Sequence, residues 1–302
     1  MLNIIGYKNT FLSISGILVG AAILAVILFG FKEGVDFSGG TLWKFRVPQS
    51  EPSLQDVENV FKNDLQVSDI RTNYDLANRD FLARLSSISE ADHQKFLAAL
   101  KAKFTSFEEV SFESTGPSIG KELRTKSLIA LVIVLIGISL YIAFAFRKVY
   151  RPVSSWKYGW ITLLTLFHDV SIPAGLLAIL GHYSKIEIDS NFIVALLVVM
   201  GFSVHDTIVV FDRIRENLFL DRGKTDFGKV INESVNQTLA RSINTSLTLI
   251  LVLVALYFTG PVTLRYFVLT LLVGVTTGIY SSIFVASPLL LVWQRATGRR
   301  GK

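Results

Sequence analysis

Four stretches of this chain, Phe11 to Phe31, Ser127 to Phe146, Ser242 to Leu264 and Tyr266 to Gln294, carry no charged side chain. Each reaches the roughly 18 to 20 residues that span a bilayer. The composition agrees: 51% of residues are hydrophobic, mean hydropathy is +0.49, and only 18% are charged, below the roughly 25% of soluble domains. The chain reads as an integral membrane protein.

Two further apolar segments are interrupted by ionisable residues. Tyr158 to Ile179 contains His168, Asp169 and Pro173, and Asn191 to Phe211 contains His205 and Asp206. Counted as spans, they bring the total to six, which puts both termini on one side. With the N-terminus inside, the inner segments hold fifteen basic residues: Lys8; Arg147, Lys148, Arg151 and Lys157; Arg213, Arg215, Arg222, Lys224, Lys229 and Arg241; Arg295, Arg299, Arg300 and Lys302. The short outer loops hold Lys185 and Arg265. Short cytoplasmic loops collect positive charge, so both termini are expected in the cytoplasm. A formal charge of +6 then reflects topology rather than nucleic-acid binding.

The segment from Lys32 to Lys126 differs in kind. It is polar, with 13 basic and 15 acidic residues among 95, and long enough to form its own core. It is predicted to be an exported domain with a strand at Thr41–Val47, a helix at Ser53–Asp64, strands at Val67–Asn73 and Arg79–Leu85, a helix at Glu90–Lys103 and a strand at Phe107–Ser114. Alternation in Leu42-Trp43-Lys44-Phe45-Arg46-Val47 marks the first strand, and Ser53 and Ser89 read as helix N-caps. The order βαββαβ is ferredoxin-like. Residues 1–31 form the N-terminus and first span, 127–294 hold spans two to six, and 295–302 are a basic tail. The 21-residue first run exceeds a signal-peptide core, and no clear small-residue cleavage site follows it, so it is read as a permanent helix. Between spans four and five, the connection 212–241 carries Phe227, Val230, Ile231, Val235 and Leu239 at near-helical spacing. It is predicted to lie along the membrane surface.

Zero cysteines exclude a disulfide framework, thiolate metal ligation and a cysteine nucleophile. Gly223-Lys224-Thr225 lacks the earlier glycine of a phosphate loop, since Leu218 occupies that position. No zinc-hydrolase motif, nucleophile elbow or ligand cluster is legible, so the chain is read as no enzyme.

The intramembrane acids therefore carry the chemistry. A charged Asp at helix centre costs about 2.5 to 3.5 kcal/mol, so it usually has a partner or a task. Asp169 lies on the order of 16 Å in from Tyr158, and Asp206 roughly 8 Å in from Phe211. Either acid binds a proton reversibly, with burial and nearby charge setting its titration, or it stays hydrogen-bonded and joins helices. Each follows a histidine, but adjacent helix positions point about 100° apart, so each pair need not act together. Arg241, at the inner mouth of span five, is either an ion-pair partner for Asp206 or a snorkelling border arginine. The spacings Gly16-x-x-x-Gly20 and Gly274-x-x-x-Gly278 permit close helix packing.

Three runs carry a resemblance: Gly34-Val35-Asp36-Phe37-Ser38-Gly39-Gly40-Thr41, Gly116-Pro117-Ser118-Ile119-Gly120-Lys121-Glu122-Leu123, and Phe202-Ser203-Val204-His205-Asp206-Thr207-Ile208-Val209-Val210-Phe211-Asp212-Arg213-Ile214-Arg215-Glu216-Asn217. In this order, with six spans and one exported domain, the chain resembles the SecF family of protein-export membrane subunits over essentially its whole length. The resemblance implies an RND-superfamily half-transporter in a bacterial inner membrane that pairs with SecD and associates with SecYEG and YajC. It implies use of the proton-motive force, with no cofactor, to advance preproteins after SecA has pushed them. It places the family's intramembrane acid on Asp206 and its span-five arginine on Arg241; Asp169 lies in a similar His-Asp motif without an implied role. A homo-oligomeric proton-coupled small-molecule exporter and a passive translocon scaffold are the rival readings.

Overall fold

The computed structural model describes all residues except 49–51, 76–78, 105, 148–152, 185, 222–223 and 299–302. Lys148, Arg151, Lys185, Arg222, Arg299, Arg300 and Lys302 of the charge census, and Gly223, thus lie outside the described residues. In chain order the elements are α1 (Lys8–Phe29), α2 (Val35–Ser38), β1 (Gly40–Arg46), α3 (Leu54–Asn59, continued by a π turn Val60–Asp64), β2 (Ile70–Asp75), β3 (Asp80–Leu85), α4 (Glu90–Lys103), β4 (Glu108–Thr115), α5 (Pro117–Ala145), α6 (Ser155–Ser184), α7 (Ser190–Asp221), α8 (Phe227–Thr259), α9 (Arg265–Ser281) and α10 (Ser287–Gly298). The chain divides into a membrane unit, Met1–Lys32 with Ile129–Lys302, and a sheet unit, Glu33–Leu128.

In the sheet unit four antiparallel strands run in the order β2-β3-β1-β4. The alternation read in β1 is realised: Trp43 and Phe45 are buried while Leu42, Lys44 and Arg46 are half-buried. Trp43 pairs with Ala83 and Phe45 with Phe81 on β3, and Phe61 and Phe107 complete an aromatic core. Ser53 accepts from the Asp56 amide, and the Asp56 carboxylate accepts from the Ser53 amide, a reciprocal cap that starts α3. Ser89 caps α4 in the same way from one side. β2 starts three residues later than predicted, because Gln66 takes a positive φ of 57° in turning the chain out of the preceding helix.

Among the described residues six helices are long and apolar enough to cross a bilayer: Ile5–Phe29, Pro117–Ala145, Ser155–Ser184, Ser190–Asp221, Phe227–Thr259 and Arg265–Thr297. The connection 212–241 corrects one expectation. It forms no separate surface helix: α7 continues to Asp221, and residues 227–241 are the opening turns of the unbroken helix α8. No proline or glycine interrupts Lys229 to Thr259, so nothing breaks the hydrogen-bond ladder where the segment meets the membrane. Its apolar stripe, Ile231 and Val235, is instead buried against Ile4, Ile5, Phe211, Ile214 and Leu291. Asn217 donates to Ser234 at 2.8 Å and Arg213 to Gln237 at 2.5 Å across the hairpin.

The glycine spacings divide. Gly274 lies against Val199 and Gly278 against Ser203, so α9 approaches α7 closely. A Cβ at Gly16 or Gly20 would meet nothing within 4 Å from another element, whereas one at Gly175 of α6 would strike Ala22 of α1. The last span has a π turn at Ser282–Ala286 between α9 and α10. Pro288 follows it; lacking an amide hydrogen, it cannot donate to the Phe284 carbonyl, which loosens the ladder there.

Candidate functional site

The two intramembrane acids project from α6 and α7 into the same bundle, and their surroundings differ. Asp169 is fully buried. Its Oδ2 accepts from Ser203 Oγ of α7 at 2.5 Å and from Ser281 Oγ of α9 at 2.7 Å, and its Oδ1 lies 2.8 Å from His168 Nδ1. Three helices therefore converge on one carboxyl group. Pro173, four residues on in α6, cannot donate to the Asp169 carbonyl, so that carbonyl lacks its usual helical partner. The ring of His168 lies against Tyr280, whose hydroxyl donates to the Phe11 carbonyl at 3.1 Å, extending the network to α1.

Asp206 is 3% exposed, and its Oδ2 has no hydrogen-bond partner among the described residues. Ser242 of α8 and Ser282 of the π turn stand beside the carboxyl. Yet the Ser242 hydroxyl, like that of Ser246 one turn along, forms no hydrogen bond of good geometry, and Ser282 donates to the Ile279 carbonyl at 3.0 Å. Asp206 thus sits in a polar pocket of hydroxyls whose hydrogen-bonding capacity is partly unused. Ser203, which holds Asp169, is one turn from Asp206 on α7, and Ser281 and Ser282 are consecutive. The surroundings of the two acids thus adjoin along α7 and at the junction of α9 with the π turn.

The structure does not bring Arg241 to Asp206. Arg241 is exposed, and no ion pair joins the two among the described residues. The cause is helical phase: Ser242 faces the bundle, so its neighbour points about 100° away. His205 is likewise exposed while Asp206 beside it is buried. An exposed stripe of Val194, Val198, Gly201 and His205 runs along α7. Reading the sequence singled out the acids but missed the serines around them, Ser203 and Ser281 that hold Asp169 and Ser242 and Ser282 that stand beside Asp206. The available signals were the small-x-x-x-small spacing of Ser242 and Ser246 and the pair Ser281-Ser282 shortly before Pro288. No cluster of three or more metal-ligating side chains forms among the described residues.

Six helices long and apolar enough to cross a bilayer, one small antiparallel sheet unit and two buried carboxyls among the described residues define a polytopic helical membrane protein. The model of the family described as "Protein export membrane protein SecD/SecF, C-terminal" matches residues 95–296. The protein translocase subunit SecF of Thermobaculum terrenum is 41% identical over 304 residues, covering 97% of this chain and 94% of the relative. The protein translocase subunit SecDF of Thermus thermophilus is 36% identical over 285 residues, 91% of this chain and 36% of the relative. The crystal structure of SecDF, a translocon-associated membrane protein from the same organism, superposes with a TM-score of 0.80 at 32% identity, covering 97% of this chain and 39% of that one. The chain belongs to the SecD/SecF family of protein-export membrane proteins.

Proposed function

We propose that the chain is the SecF-type half of a Sec accessory complex, in which Asp206 takes up and releases protons as the gradient drives preprotein movement. The observation that carries this reading is the unpartnered Asp206 Oδ2, buried among serines. A buried carboxylate without compensation is costly, so gaining a proton changes which neighbours Asp206 can hold. The driving energy available is about 2.3 kcal/mol per charge for 100 mV plus about 1.4 kcal/mol per pH unit. That is enough to shift a balanced two-state equilibrium. Ser282 places the π turn in contact with the switch, and single π turns recur at functional sites.

The partner in this reading is SecD. Support comes from the fused SecDF relative, of which this chain covers 36%, and from His205, exposed next to the acid on α7, and Arg241, exposed on α8, both of them unfavourable against lipid. A second subunit on the α7 stripe would cover His205 and bring Arg241 and its own polar groups to Asp206. The assembly would act with SecYEG, YajC and SecA-driven preproteins, without covalent catalysis or a cofactor. The charge census supports cytoplasmic termini in a bacterial inner membrane, which puts the sheet unit on the periplasmic side. The strand order β2-β3-β1-β4 with helices after β1 and β3 supports a ferredoxin-like domain there.

The test is export into vesicles containing the whole complex, with and without an imposed proton gradient, for wild type, Asp206→Asn and Arg241→Met. Loss of gradient stimulation in both variants is expected. Equal stimulation in all three rules out the proton relay and leaves a scaffold.

A further inference from the structure

A cavity of about 350 Å³ opens between the N-terminal segment, the start of α8 and the end of α10. Three cations from three helices line it, Lys8 of α1, Lys229 of α8 and Arg295 of α10, against one carboxylate, Asp226. Asp226 reaches Arg295 only at 3.5 Å, and its Oδ2 also accepts from the Gly228 amide at 2.9 Å to cap α8. No ion pair engages Lys8 or Lys229 among the described residues. Gly228 forms part of the wall: a Cβ there would lie 3.0 Å from Asp226 Oδ2 and 3.4 Å from Arg295 Nη2, inside the space the charged groups share.

The cavity is held in shape. Asn232 accepts from the Ile5 amide at 3.1 Å and donates to the Leu2 carbonyl at 3.0 Å. Asn236 accepts from the Leu2 amide at 2.8 Å and donates to the Leu2 carbonyl at 2.9 Å. These bonds lash the N-terminal segment to α8, so Lys8 and Lys229 face one space rather than drifting as surface lysines. Ile5 and Leu291 give the same cavity an apolar side. Lys8 lies three residues before the uncharged run that begins at Phe11, which sets the cavity at the level where lipid headgroups meet water.

We infer that this cavity is a binding site for the phosphate of an anionic phospholipid. Lys8, Lys229 and Arg295 surround the phosphodiester, the positive end of the α8 dipole adds to the attraction, and Asp226 moderates it. Basic pockets between membrane helices suit this ligand class. A bound lipid would clamp α1, α8 and α10 together, anchoring the cytoplasmic end of the two helices that flank Asp206. The leaflet follows from the orientation proposed above, whereas binding itself does not depend on it or on proton coupling.

Native mass spectrometry of the full chain tests this, with phosphatidylglycerol, phosphatidylethanolamine and inorganic phosphate as probes. One phosphatidylglycerol is expected to remain bound where phosphatidylethanolamine is stripped. The double variant Lys8→Gln with Lys229→Gln should bind it about 25-fold more weakly, roughly fivefold per cation. Lys224→Gln, which removes one charge outside the cavity, should leave binding within about twofold. Asp226→Asn, which keeps a capping side chain and frees Arg295, should tighten binding by about fivefold. Equal retention in wild type and the double variant overturns the site. Displacement by inorganic phosphate at equal concentration overturns the lipid assignment in favour of a soluble anion.

Discussion

The solvent-facing carboxylates of the sheet unit and the buried acids of the membrane unit live under opposite rules. In the sheet unit Asp56, Glu58, Glu90 and Asp92 lie towards solvent and are held below the ordinary carboxylate range, chiefly by side-chain hydrogen bonds from Ser53, Lys62, Gln94 and Ser89 respectively. Many such groups share the work, and water covers any that fail. Among the described residues of the membrane unit two acids are buried, Asp169 and Asp206, and one has every oxygen partnered while the other does not. In the function proposed above, that one missing hydrogen bond separates a structural acid from a switching acid, because solvent does not compensate for it.

The comparison breaks first at Asp206. Asp206→Asn is expected to remove the gradient-dependent part of export completely while changing unfolding stability in detergent by less than about 1 kcal/mol, since it takes away an unsatisfied charge. A variant that loses export only because it unfolds would place Asp206 with the structural groups.

Asp169 should behave in the reverse manner. Asp169→Leu strands the Ser203 and Ser281 hydroxyls and His168, and is expected to cost about 3 kcal/mol of stability. Chemical unfolding of the purified chain measures this. Asp169→Asn, which keeps an acceptor for the serines, should retain gradient-driven export; abolition equal to that of Asp206→Asn would make both acids part of the relay.

A smaller effect sharpens the coupling between helices. Ser281→Ala is expected to cost about 1 kcal/mol, and much less when introduced into Asp169→Leu, because the bond is already gone. Additive losses in this double-mutant cycle would mean that Ser281 stabilises α9 by its bond to the Gly278 carbonyl instead.

The smallest effect belongs to the sheet unit. Asp56 titrates lower in the folded chain than unfolded, so its cap is fully present above the ordinary value near pH 4 and is lost as the pH falls through the lowered folded value. Amide protection of α3, corrected for intrinsic exchange, should therefore fall below about pH 4. In Ser53→Ala it should be weaker at neutral pH and respond less to acid. An unchanged acid response would show that the reciprocal cap does not set the pKa.

Much of this arrangement was legible beforehand because membrane spans and alternating strands are written in local hydropathy. The six spans follow from runs of apolar residues, and β1 from the alternation around Trp43 and Phe45. The acids were visible because a charge in an apolar run stands out. Their partners were not: Ser203 and Ser281 are 34 and 112 residues from Asp169, and a serine in a membrane helix looks like any other small packing residue. Helical phase, too, was out of reach. Arg241 sits at the right height for Asp206 but one position away from the buried face, and only the packing of α8 on α7 decides that. The segment 227–241 misled for a related reason, since an amphipathic stripe has the same period whether it covers lipid headgroups or a neighbouring helix.

The most direct test of the account is infrared difference spectroscopy of the carboxyl stretch in the membrane-embedded complex as the pH is stepped on the outer side. A protonated-carboxyl band that appears and disappears in wild type, is absent in Asp206→Asn and persists in Asp169→Asn is the predicted result. A band unaffected by Asp206→Asn, or one that never responds to outer pH, would contradict it.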